Sequence, residues 1–308
     1  GVMWFQGVAV ETPTVGSLKQ LPTEQTALRE GDEILAVEGQ QVADFGALFT
    51  LTDTLDLGPV EVTVRRDVEV ATVTGPFPMP ARIDQIHPQS AAMDAGLQVG
   101  DVILTIEGTP ITAFRQLREM VEVSEGRPLL MSIWRDGKTF DVTLVPRSRD
   151  LPLPDGGFET RYLIGVSGGL FFEPLTETPG PLEAVGYGVT QTWTIVKSSL
   201  SGLVHIVTGA ISSCNLQGPL GIAETSGAAA SQGVQSFVWF IAVLSTAVGL
   251  LNLFPVPVLD GGHLVFHAYE AVTGKPPTDR VLRVFFAVGL ALIVTLMVFA
   301  LSNDIFCP

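Results

Sequence analysis

Two long apolar runs dominate the second half of the chain. Residues 237–258 (FVWFIAVLSTAVGLLNLFPVPV) carry no charge, and neither do residues 284–303 (VFFAVGLALIVTLMVFALSN). Crossing hydrocarbon takes a helix of about 20 residues, and a helix apolar on every face has no side to offer water. Both runs therefore predict membrane spans. Residues 190–214 keep a different rhythm. Trp193, Val196, Leu200, Leu203, Val207 and Ile211 recur at steps of three and four, while Lys197, Ser198, Ser201, His205, Thr208 and Ser212 fill the other faces. That pattern predicts an amphipathic helix at the membrane surface or against the spans, with a third span as the alternative. The opening stretch, GVMWFQGVAV, is uncharged but too short to cross anything.

The first half alternates over shorter distances, and it repeats. At an offset of 69 residues, Gly31-Asp32 matches Gly100-Asp101, Ile34-Leu35 matches Ile103-Leu104, and Glu38-Gly39 matches Glu107-Gly108. The register continues through Phe45 and Phe114, Leu48 and Leu117, and Arg66-Asp67 and Arg135-Asp136. Each copy reads as a Gly-Asp turn, a short apolar strand, an Xaa-Gly turn, a short helix and two alternating strands, such as 60–64 and 141–145. Units of this size each close a small core, unlike solenoid repeats that need stacked neighbours. A fragment over 12–147 is accordingly expected to fold without the rest.

Charge divides the chain the same way. Residues 1–189 hold 27 acidic and 13 basic side chains, residues 190–308 only five and four. The net charge of −15 disfavours nucleic acid as a partner. Two distant cysteines, Cys214 and Cys307, exclude a disulfide scaffold or a Cys-rich zinc module. No basic segment precedes an apolar one at the start, so no signal peptide is expected, and the chain reads as cut at Gly1.

The runs Ala95-Gly96-Leu97-Gln98-Val99-Gly100-Asp101-Val102-Ile103 and, more loosely, Ala27-Leu28-Arg29-Glu30-Gly31-Asp32-Glu33-Ile34 resemble the bacterial PDZ domain. The resemblance implies a groove that takes an extended peptide or a free C-terminus as an added strand. The fold class expected is α+β: a multi-domain membrane protein with two small β-rich PDZ-like domains, an amphipathic helical region and two transmembrane helices. The boundaries expected are 1–12 for the end of a truncated membrane helix, 13–78 and 79–147 for the two PDZ-like domains, and 148–189 for a linker. The amphipathic helical region then covers 190–236 and the spans 237–303.

Chemistry concentrates where the first span ends, in Asn252-Leu253-Phe254-Pro255-Val256-Pro257-Val258-Leu259-Asp260-Gly261-Gly262-His263. Pro255 and Pro257 lack backbone donors, so the helix cannot run regularly through them. Broken backbone at membrane depth persists only where protein or water satisfies its carbonyls. An acid just past such a break, Asp260, is a functional candidate.

This run resembles the signature of the site-2-protease family of intramembrane zinc metalloproteases, and tandem PDZ domains followed by Asn215-Leu216-Gln217-Gly218-Pro219 fit the same order. The resemblance implies metal-assisted hydrolysis of transmembrane segments of single-span membrane proteins, with the PDZ pair filtering substrates. It makes Asp260 a zinc ligand and Asn252 a contact to substrate backbone. Gly261 and Gly262 would let backbone pass close to the metal. It also implies a bacterial inner membrane protein.

The family's other ligands, the two His of a His-Glu-x-x-His motif with its Glu as general base, have no counterpart in these 308 residues. They are expected upstream of Gly1, leaving the chain inactive alone. His263 and His267 share one helix face at the spacing of a zinc pair, but Leu264 stands where a catalytic Glu would be. They are weighed as interfacial residues, with a ligand role as the alternative. A membrane-anchored PDZ adaptor without catalysis is the competing function. A small transporter fits less well, because the two spans do not repeat each other. Lys275, Arg280 and Arg283 in the short loop after Asp260 predict that loop to be cytoplasmic, with the PDZ pair and the C-terminus periplasmic.

Overall fold

A computed structural model describes residues 7–22, 26–152, 158–208 and 218–306. It divides into two compact units, one comprising Gly1–Pro152 and Glu159–Ala184, the other Leu153–Phe158 and Val185–Pro308.

The first unit holds sixteen short strands and three helices among its described residues. Strands β1 (Val8–Ala9) and β2 (Val15–Leu18) lead into the first repeat: β3 (Glu33–Val37), β4 (Gln40–Gln41), α1 (Phe45–Thr52), β5 (Val60–Arg66) and β6 (Glu69–Gly75). The second repeat runs β7 (Gln85–Ile86), α2 (Ala91–Asp94), β8 (Val102–Ile106), β9 (Thr109–Pro110), α3 (Phe114–Val123), β10 (Leu129–Arg135) and β11 (Lys138–Leu144). Each repeat builds a four-stranded antiparallel sheet of one topology, β4-β3-β5-β6 and β9-β8-β10-β11. Alternation sets the buried faces: Val60, Val62 and Val64 point inward in one sheet, Leu129, Met131 and Ile133 in the other.

The 69-residue offset survives into side-chain detail. Asp32 and Asp101 are fully buried at the Gly-Asp turns. Asp32 accepts from the Arg29 amide at 2.9 Å, and Asp101 from the Gln98 amide at 2.8 Å. Arg66 and Arg135, at the ends of β5 and β10, each grip the matching aspartate with two nitrogens. Glu38 and Glu107 take left-handed backbone at φ 48° and 50°, each before a glycine. Their carboxylates hold that turn by accepting from the Glu61 and Leu130 amides, both at 2.6 Å.

The stretch 148–189 is not a plain linker. It forms β12 (Arg147–Pro152), β13 (Phe158–Leu163), β14 (Val166–Ser167), β15 (Phe172–Pro174) and β16 (Thr176–Glu177). β14 pairs with β7 in the second repeat, and β15 with β2 beside the first. Ile164 enters the second core; Leu170, Phe171 and Phe172 enter the first. These four apolar side chains fill space that neither repeat closes alone, which is why the segment is ordered onto both. Between the repeats, Lys19 meets Asp84 at 2.5 Å and Glu173 at 3.2 Å. Arg115 of α3 donates to the carbonyls of Thr52, Asp53 and Leu55 at the end of α1. The start also departs from expectation. Val8 and Ala9 are a strand paired with β16 rather than the end of a helix, and residues 1–6 lie outside the described residues.

The second unit is helical. α4 (Pro181–Val207) begins before 190 and carries most of the expected stripe. Ile211, Ser212, Cys214 and residues 215–217 lie outside the described residues, as does Cys307. Then come α5 (Pro219–Ser231), α6 (Val234–Asn252), α7 (Asp260–Thr273) and α8 (Asp279–Phe306). α6 and α8 are long and apolar enough to cross a membrane, with mean hydropathy 1.9 and 2.8. No residue of α6 is buried, so its apolar surface faces outward, opposite to a soluble core helix.

Candidate functional site

The expected first span stops as a helix at Asn252, short of 258, because the prolines that follow withhold donors. Its end tightens: the Leu253 and Phe254 amides donate three residues back, to Leu250 and Leu251, both at 3.1 Å. The chain then turns on itself through two short bonds, Val256 N–H to the Phe254 carbonyl at 2.7 Å and Leu259 N–H to the Val256 carbonyl at 2.8 Å. α7 starts at once, and Asp260 is its first residue. Asn252 and Asp260 thus bracket the turn. Asn252 is half-buried and Asp260 exposed. The Asp260 carboxylate sits at the positive end of α7, where the helix dipole favours an anion. Among the described residues its side chain has no hydrogen bond or ion pair, so its oxygens are open to a ligand.

Gly261 and Gly262 are buried and explain how so tight a turn packs. A Cβ on Gly261 would land on the carbonyls of Leu253 and Phe254, with the Leu253 carbonyl carbon at 2.6 Å. One on Gly262 would meet the Val256 carbonyl and the Pro257 Cα at 2.6 Å. The backbone these glycines admit here is the chain's own 253–257 stretch.

His263 and His267 are exposed on α7. The His263 ring lies 5.8 Å from Phe286 and 6.3 Å from Phe266, and Phe266 lies 6.0 Å from Phe285. His263 therefore belongs to an aromatic seam joining α7 to α8. Catalytic zinc takes three protein ligands. Among the described residues no group of three His, Cys, Asp or Glu converges, so these residues do not by themselves form a zinc site.

Two contributors are absent from the sequence reasoning. Gly289 of α8 is buried between exposed Val288 and Leu290. Asp304, near the end of α8, accepts from the Gly218 amide at 2.7 Å, Leu220 at 3.0 Å and Gly221 at 3.3 Å. It caps α5, whose own cap residue Gly218 has no side-chain oxygen. A glycine inside an apolar run and an acid at its end were the available signals.

In the first unit, a cleft of about 800 Å³ opens between the repeats, with Leu18, Trp134 and Phe171 among its walls. None of the expected site residues lines it. Asp32, in the first repeat and outside this cleft, has its carboxyl pushed up by burial but pulled further down by hydrogen bonds from Arg66 and the Arg29 amide, leaving it below the ordinary value. It is a structural acid.

A family model described as Peptidase family M50 matches residues 45–296. A protein of Rhizobium meliloti that bears a zinc metalloprotease name is 41% identical over 224 residues, covering 71% of this chain and 59% of the relative. The regulator of sigma-E protease of Escherichia coli strain K12 is 32% identical over 335 residues, covering 98% of this chain and 73% of its own length. The chain thus spans about three fifths to three quarters of these relatives. A PDZ domain structure from Listeria monocytogenes is similar at 16% identity and TM-score 0.24, over 28% of this chain and 84% of that domain.

Proposed function

The chain belongs to peptidase family M50, and from that premise we propose that it is part of an intramembrane zinc endopeptidase to which it contributes Asp260 as a metal ligand. The observation that carries this reading is the position of Asp260. It opens α7 on a glycine-packed turn between two helices fit to span a bilayer, with a carboxylate engaged by nothing else described. The remaining ligands and the general base would come from a His-Glu-x-x-His segment outside these 308 residues. Asn252, at the other edge of the turn, would hold substrate backbone.

The substrates proposed are membrane proteins with a single span. Their scissile carbonyls are tied in i→i−4 bonds until the helix unwinds, and an amide such as Asn252 suits an unwound strand that needs partners. The PDZ-like repeats would act as a filter on extended peptide ends presented outside the membrane. Lys275, Arg280 and Arg283 after Asp260 support a cytoplasmic site in a bacterial inner membrane, with the repeats periplasmic.

The test is cleavage of a single-span substrate by the whole protein that contains this chain. Cleavage lost on chelation and restored by zinc is expected, while the 308-residue chain alone stays inert. Chelator-insensitive cleavage by the whole protein, or zinc-dependent cleavage by this chain alone, would overturn the assignment.

A further inference from the structure

One residue by which α8 approaches the turn that bears Asp260 has no side chain. Gly289 is buried although its neighbours Val288 and Leu290 are 62% and 56% exposed. A Cβ placed there would lie 3.0 Å from Val258 Cγ2, 3.1 Å from Pro257 Cδ and 3.3 Å from Pro257 Cβ. Val258 and Pro257 directly precede Leu259 and Asp260. Three residues before Gly289 on the same helix, Phe286 packs on the His263 ring at 5.8 Å, on the far side of Asp260 in sequence. A helix places residues three apart on one face. Phe286 and Gly289 therefore contact the chain on both sides of Asp260, one by an aromatic ring and one by close approach.

We infer that Gly289 is a positioning residue: with Phe286 it seats the 257–263 turn against α8 and so fixes where the Asp260 carboxylate points. This rests on the proposed role of Asp260. The far end of α8 makes a separate contact, the Asp304 cap on α5, which gives an internal reference. A methyl at 3.0–3.3 Å is met by a small shift of neighbouring side chains. A leucine is not, and must push the turn away from α8. Displacing a reacting group by about 1 Å from outside the chemistry costs roughly a hundredfold in rate.

The experiment compares wild type, Gly289→Ala, Gly289→Leu, Leu290→Ala and Asp260→Asn. The first readout is hydrogen exchange of the whole protein in detergent. Gly289→Leu should speed exchange at the Leu259, Gly262 and His263 amides, whose bonds close the turn, and leave the Ile222 amide in α5 unchanged. Gly289→Ala and Leu290→Ala should resemble wild type. The second readout is single-span substrate cleavage by the whole protein, where Gly289→Leu should lower kcat roughly a hundredfold with KM little changed, and Gly289→Ala should rescue it. Unchanged exchange at the turn in Gly289→Leu overturns the inference, as does equal loosening of α5. Full cleavage by Asp260→Asn would instead defeat the reading of Asp260, while the exchange data still decide whether Gly289 seats the turn.

Discussion

Asp32 and Arg66, 34 residues apart, meet through two nitrogen–oxygen contacts of 2.7 Å, and Asp101 and Arg135 repeat the arrangement at the same separation with contacts of 2.6 and 2.7 Å. The same guanidinium also reaches a loop carbonyl, Ala27 in one repeat and Gly96 in the other. One latch thus ties the Gly-Asp turn, the preceding loop and the end of a central strand.

The latch carries a pH signature. Burial raises the Asp32 carboxyl, but hydrogen bonds from Arg66 and Arg29 lower it more, below its ordinary 3.8 in the folded chain. The unfolded chain therefore binds the proton first. The stabilisation is whole above that ordinary value and is lost as pH falls through the folded one. Asp32→Ala should cost about 2–3 kcal/mol near neutrality, because it strands a buried amide and a guanidinium. The gap between variant and wild-type melting temperatures should shrink on acidification below 3.8, measured by scanning calorimetry.

The return segment makes a second prediction. Phe172 is fully buried in the first repeat's core, and Ile164 is buried in the second. Phe172→Ala should cost about 3–5 kcal/mol and Ile164→Ala about 2–5 kcal/mol. A fragment ending at Arg147 lacks both and should melt well below one ending at Ala184. Equal melting temperatures would show that the repeats close without 164–174.

The proposed orientation, with the basic loop in the cytoplasm, makes a third prediction. A reporter active only in the cytoplasm, fused after Pro308, should stay silent, whereas the same reporter inserted after Lys275 should be active. The reverse pattern would place Asp260 on the other side of the membrane.

Much of this was legible in sequence because it is periodic. Val60, Val62 and Val64 announce a half-buried strand, and the 69-residue offset announces two like folds. The latch was half visible: Asp32 and Arg66 both belong to the repeat, but only the sheet brings strand end and turn together. The role of Ile164, Leu170, Phe171 and Phe172 was hidden, since a short apolar cluster after the repeats has no local partner to name. The Asp260 turn was legible from its prolines. Gly261 and Gly262 pack against carbonyls of 253–257, a close approach that only the path of the backbone reveals. Gly289 meets Pro257 and Val258, and Asp304 caps α5, at sequence separations no spacing rule covers.

Asp260, not the nearby histidine pair, is proposed as this chain's contribution to the metal. The most direct measurement is cleavage of a single-span substrate by the whole protein carrying Asp260→Asn, beside the double variant His263→Ala, His267→Ala, with membrane insertion verified for both. Asp260→Asn keeps the side chain's size and removes its charge, so cleavage should fall to background while the histidine variant retains most of its activity. An active Asp260→Asn protein together with an inactive histidine variant would contradict the account and place the metal on α7's histidines.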